Sequence, residues 1–146
     1  MNLNELKSKI IQVDGRIKEV LKESGYLEFG EMDVDYDNNN PDESFLATEL
    51  QRLLHYLDDV HSTISYLQQP IIHEGYLQLQ DNGRYVCDGV ELTCGSALEV
   101  LIEDYFDNHL EWVASRLEAD HGQYYLVVKP NLKLDGIRAR IRERKW

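Results

Sequence analysis

The residues able to do chemistry are few, and none is arranged as a catalyst would need. Cys87 is the natural nucleophile, and His73, His109 or His121 could serve as the proton acceptor that a thiol requires. Nothing in their spacing brings them together. The chain has no GxSxG, P-loop, GxGxxG or HExxH pattern. The adjacent carboxylates Glu103 and Asp104 read as loop charges. Cys87 and Cys94 are separated by six residues, which is neither a CxxC redox pair nor a zinc half-site. Both read as small buried apolar residues, with a disulfide across adjacent strands as the alternative. His55 and His61 are six positions apart on an expected helix, so they do not share a face as an i, i+4 metal pair would, and they read as surface residues. No enzyme activity, cofactor or metal is expected.

Charge patterns remain, and these point to recognition. The net charge of −12 is uneven: residues 129–146 hold seven basic and two acidic residues (+5), leaving −17 on residues 1–128. A body so acidic argues against broad binding to phosphate backbones and suits docking on a basic surface. Glu31, Asp33, Asp35 and Asp37 alternate within YLEFGEMDVDYDNNN, so an extended segment projects them to one side, with Asp42 close behind. The row lacks the sixth-position Gly and twelfth-position Glu of a calcium loop. It reads as a solvated loop, or as a mimic of a nucleic-acid strand presented to a protein. Arg138, Arg140, Arg142 and Arg144 form the opposite pattern, a strand with one basic face, beside which Tyr85 or Trp146 could stack on bases. Edge strands also carry such charges to block aggregation. Arg116 and Glu118 share a strand face with Trp112. A pairing of residues 119 and 123 across the turn adds Tyr124, giving a recognition patch or a structural ion pair.

The elements that must hold these groups are legible from periodicity. Leu3, Leu6, Ile10, Val13, Ile17 and Val20 keep a 3,4 spacing, with Asn2 or Asn4 as cap and Ser24-Gly25 as stop. Leu46, Leu50, Leu53, Leu57, Val60, Ile64 and Leu67 do the same after Asn40-Pro41, with Glu43 completing a capping box, and end before Pro70. Two helices with matching seams predict an antiparallel, coiled-coil-like hairpin. After Pro70 the texture changes to short alternating runs with turns at Asp81-Asn82-Gly83, Asp88-Gly89, Asp120-His121-Gly122 and Asp135-Gly136. The expected fold is α+β: a helical hairpin with an acidic loop over 1–70, then a small antiparallel β-barrel of six or seven short strands over 71–146.

The segments GYLQLQDNGRYVCDGVELTCGSALEVLI, HLEWVASRLEADHGQYYLVV and LKLDGIRARIRE carry a resemblance. Through NGRY, ELTCGSALEV, the W-x-x-x-R-L-E strand and the Tyr124-Tyr125 pair, the half from Gly75 to Glu143 resembles an uncharacterised domain-of-unknown-function family found in bacteria and on their mobile elements. The chain also resembles small acidic phage-encoded inhibitors, including anti-CRISPR proteins, on size and charge rather than on a motif. That likeness implies a protein in the bacterial cytoplasm whose acidic surface inhibits a basic nucleic-acid-handling protein, a CRISPR effector nuclease being the concrete case. The runner-up is direct nucleic-acid binding by the arginine strand. A third reading is a homodimer joined through the helical seams. No run of residues is long and apolar enough for a membrane helix.

Overall fold

In the computed structural model, which describes residues 1–103, 106 and 108–144, the chain divides into two units, Met1–Gln68 and Gln69–Trp146. Asp104 and Trp146, read above as a loop carboxylate and a stacking aromatic, lie outside the described residues.

The first unit is a helical hairpin. Helix α1, Leu3–Glu23, starts at a reciprocal capping box: the Asn2 side chain accepts the Glu5 N–H at 2.9 Å, and the Glu5 carboxylate accepts the Asn2 N–H at 3.2 Å. It stops where Gly25 adopts φ +83, a conformation that disfavours a side chain. A single turn, α2 (Tyr26–Phe29), follows. Helix α3, Pro41–Gln68, runs 28 residues, and the Asn40 side chain accepts the Asp42 N–H at 3.0 Å. Asp14 meets His61, Tyr26 meets His55 and Met32 meets Gln51, so positions rising along the first segment meet positions falling along α3, and the helices are antiparallel.

Their contact uses the leucine seams only in part: Ile17 of α1 and Leu57 and Ile64 of α3 are covered, while the other seam residues stay open. On α3 the covered stripe also takes in Ala47, Gln51, Leu54, Asp58 and His61, each one residue beyond a seam position. One residue is about 100° of helix rotation. On α1 the covered positions are Asp14, Ile17 and Leu21. A two-helix contact can cover only one flank of an apolar stripe, and here it takes the flank carrying Asp14–His61 (2.8 Å) and Tyr26–His55 (2.5 Å). Both histidines bridge the hairpin: His55 is an exposed surface residue, as its spacing suggested, whereas His61 has only 20% of its side chain exposed.

The second unit is made of two antiparallel sheets. Strands β1 (Ile71–Tyr76), β2 (Gln78–Leu79), β3 (Tyr85–Cys87), β4 (Val90–Glu91), β5 (Ala97–Glu103), β6 (Leu110–Asp120), β7 (Gln123–Leu126) and β8 (Arg138–Arg142) pair as β1-β8-β5-β6-β7 and β2-β3-β4. The sheets do not close into the expected barrel. In the larger one β1 and β7 are edges, and the alternating run GYLQLQ is broken at Leu77. The fully buried Leu77 turns its backbone aside, donating to the Ile137 carbonyl and accepting from the Gly136 N–H. The stretch before the Asp135-Gly136 turn, 132–134, is irregular: the chain turns at Leu126–Lys129, and Pro130 has no N–H to offer a ladder. Leu77, Cys87, Leu92, Leu98, Val100, Leu117, Leu126, Leu134 and Ala139 form one continuous core.

The turns follow their sequences more closely. Asp88 (φ 50) and Gly89 (φ 78) give the type I′ hairpin that Asp-Gly predicts. The β6–β7 turn is one residue shorter than read above. Asp120 pairs with Gln123, so His121 (φ 51) and Gly122 (φ 78) are its two central residues.

Candidate functional site

In a strand, a one-residue change of register moves every side chain to the other face. Because Ala119 pairs with Tyr124 and Glu118 with Tyr125, Tyr124 lies on the core face, where it packs against the buried cluster. Trp112, Arg116 and Glu118 lie on the opposite face, so the four-residue patch read from the sequence is not a patch. Arg116 binds Glu118 at 2.9 Å, and the Cys94 thiol donates to the other Glu118 oxygen at 3.0 Å. These two donors hold the Glu118 carboxyl below the usual carboxylate range, the Cys94 bond contributing most, and the same bond raises the Cys94 thiol. Cys94 is thus an exposed, protonated thiol, not a buried apolar residue, while Cys87 is buried and pushed up mainly by that burial. Both cysteines are free.

The arginine strand has its own partners. β8 is central in the sheet, between β1 and β5, and not the edge strand that its charges suggested. Its outward face meets carboxylates on both neighbours. Arg138 binds Glu74 at 2.5 Å and covers the Tyr76 ring at 5.5 Å. Glu99, only 4% exposed, takes Arg140 at 2.7 Å and Arg142 at 2.5 Å, one on each carboxylate oxygen. Arg140 also stacks over Trp112 at 4.1 Å, and Arg142 donates to the Gln69 carbonyl at 2.9 Å. Arg144 reaches the Gly95 carbonyl at 3.4 Å. This is a closed ionic and cation–π layer with its donors directed inward. Glu99, the lone charge within the apolar run ALEVLI, was the sequence signal for it, and the reading of the arginines passed over that signal.

The acidic row behaves differently. Glu31, Asp33, Asp35, Asp37 and Asp42 are all exposed. The segment bearing them is tied down, since Met32 N–H donates to the Gln51 side chain at 2.7 Å and Asp33 N–H to the Ser24 carbonyl at 2.7 Å. Gly25 permits this approach, because a Cβ there would lie 2.7 Å from the Asp33 Cβ. Among the described residues, no three or more His, Cys, Asp or Glu side chains are grouped as they would be to hold a metal ion.

Asp35 borders a groove, together with Glu43. The aligned contacts run Asp14–His61, Tyr26–His55 and Met32–Gln51, so the first three turns of α3 extend beyond α1 and are flanked by the tied segment instead of a helix. A cavity of about 390 Å³ opens there, floored by Leu46, Leu50, Leu53 and Leu57, walled by Val20, Met32, Val34 and Tyr36, and bounded by Asp35 and Glu43. The apolar surface continues along the hairpin. Leu3, Leu6, Ile10, Val13 and Val20 of α1, and Leu46, Leu50, Leu53 and Val60 of α3, are each between 43% and 84% exposed. The seam periodicity had marked all nine; that they face outward depends on the rotation of the helices.

Among the described residues, no helix is long and apolar enough to cross a membrane. No curated protein and no solved structure matches the chain. Residues 75–141 match the model of a domain of unknown function (DUF5348), so the expected likeness of the C-terminal half to an uncharacterised family is met, and the helical hairpin lies outside the match.

Proposed function

We propose that this is a non-enzymatic interaction protein that takes an amphipathic helix, apolar on one side and basic on its flanks, onto the acid-rimmed leucine face of its helical hairpin. The carrying observation is the split seam of α3, where Ala47, Leu54 and Ile64 pack inward beside the half-buried Gln51, Asp58 and His61 while Leu46, Leu50, Leu53 and Val60 stay open. Helix-in-groove recognition uses anchors at this i, i+3, i+4, i+7 spacing, and Asp35, Glu43 and the neighbouring carboxylates select basic flanks. The reading keeps the expectation of a protein partner with a basic surface and gives it an apolar anchor.

Inhibition of a nucleic-acid-handling protein in a bacterial cytoplasm, a CRISPR effector nuclease being the concrete case, is the narrower form; it is supported by the net charge of −12 and the acidic rim. Nucleic-acid binding by the arginine strand draws no support from the geometry, since a phosphate would have to displace Glu74 or Glu99 from Arg138, Arg140 and Arg142.

The test is fluorescence anisotropy with two labelled helical peptides sharing one leucine heptad pattern, one flanked by lysine and one by glutamate. The lysine peptide binds, the glutamate peptide binds at least about tenfold more weakly, and reversal of Asp33, Asp35 and Asp37 to lysine inverts that preference. Equal binding of both peptides, or binding of neither by a chain that sediments as a monomer, refutes the reading. In a nuclease-inhibition assay, inhibition that survives the same charge reversal refutes mimicry by the acidic row.

A further inference from the structure

The leucine face has a candidate occupant within the sequence itself. We infer that it is covered by a second copy of this chain, α1 of each copy lying along α3 of the other in a four-helix bundle. This rests on the proposal that the face binds an amphipathic helix, and it names that helix.

Three observations converge. First, α1 has the required chemistry. Its Leu3, Leu6, Ile10 and Val13 stripe is exposed, and it carries Lys7, Lys9, Arg16, Lys18 and Lys22 against Glu5, Asp14, Glu19 and Glu23, a net +1. Helix α3 carries Asp42, Glu43, Glu49, Asp58 and Asp59 against Arg52 alone, a net −4. An α1–α3 pairing between copies therefore joins unlike charges, which α3 against α3 does not.

Second, both helices keep a heptad seam and most of each seam is open. One added helix would satisfy one seam, whereas a second hairpin satisfies both, with the same patch used on each copy as a two-fold interface requires. Third, the area is of the order that a dimer needs. A fully exposed Val, Leu or Ile side chain presents roughly 60–120 Å² of apolar surface, so nine that are about half exposed leave roughly 270–540 Å² open. A stable interface takes about 800 Å² from each partner, a little over half of it apolar, hence about 450 Å².

The experiment is sedimentation equilibrium of the full chain between about 1 and 100 μM, with the wild type, the double variant Leu50→Glu/Leu53→Glu and far-UV circular dichroism as a control on folding. The monomer mass is 17.1 kDa. The wild type should sediment at twice that mass at 10 μM. The variant should show a dissociation constant raised by about 100-fold or more at unchanged helicity, because both positions are half exposed and neither packs in the hairpin contact. A wild type that is monomeric at 100 μM yet binds the lysine-flanked peptide overturns the second-copy assignment and leaves the helix-binding reading standing. A monomer that binds neither peptide overturns both. A dimer unaffected by the leucine substitutions places the interface elsewhere and also overturns the inference. If the variant loses helicity, Leu6→Glu/Ile10→Glu on the opposite seam replaces it with the same expected outcome.

Discussion

Replacing Glu99 should expose how the sheet unit is held together. Its carboxylate is 6% exposed and neutralises Arg140 (18% exposed) and Arg142 (15%), so all three side chains sit where water screens little. Glu99→Ala removes the acceptor and leaves two guanidinium groups in the layer against Trp112 without their carboxylate. Breaking a buried ion pair from one side costs about 3–5 kcal/mol, well above the 0–1 kcal/mol of an exposed pair. At about 4–8 °C per kcal/mol for a unit of this size, the melting temperature should fall by roughly 12–40 °C. Glu99→Gln keeps an acceptor but no charge and should fall between Ala and wild type. The internal control is Arg138→Ala, which breaks the Glu74 pair at 39% and 37% exposure and should cost no more than about 1 kcal/mol. Both tryptophans lie in the second unit, so thermal and urea melts followed by tryptophan fluorescence report on it directly. A Glu99→Ala loss below 1 kcal/mol, or one equal to that of Arg138→Ala, would show that the layer is a solvated surface network and refute the argument.

Two glycines of the hairpin should respond in opposite directions. Gly15 is inside α1 with nothing within 4 Å of an added Cβ, so Gly15→Ala should stabilise by about 0.5–1 kcal/mol in a urea melt followed at 222 nm. Gly25 combines φ +83 with a 2.7 Å approach to Asp33, so Gly25→Ala should cost about 1–3 kcal/mol and loosen the acidic rim. The Cys94 thiol, raised by its bond to Glu118, should alkylate slowly at neutral pH and faster as the pH rises. Glu118→Gln should speed that reaction at pH 8, while Cys87 stays protected until unfolding, as mass spectrometry of the labelled peptides would show. The Glu118 carboxyl is depressed on folding, so whatever stability it adds is present above the ordinary carboxylate range and is lost as the pH falls through its lowered value.

Local rules located most of the elements. Asn2 with Glu5, Asn40 with Pro41, Asp88-Gly89 and the two heptads are each specified within a few residues, because caps, turns and amphipathic stripes are short-range chemistry. What depended on distant partners was decided only in three dimensions. Arg138 to Arg144 looked like a free basic face because the carboxylates that hold three of them, Glu74 and Glu99, are about 40 or more residues away, and only the strand order sets them side by side. Tyr124 moved to the core because a two-residue turn displaced β7 by one position, and period-two structure turns one position into the opposite face. The leucine seams were plain from their spacing. That most of them look outward follows from a contact made along one flank of each stripe, which covers only Ile17, Leu57 and Ile64 of the seams and which periodicity cannot specify, because it fixes a stripe without fixing what the stripe meets.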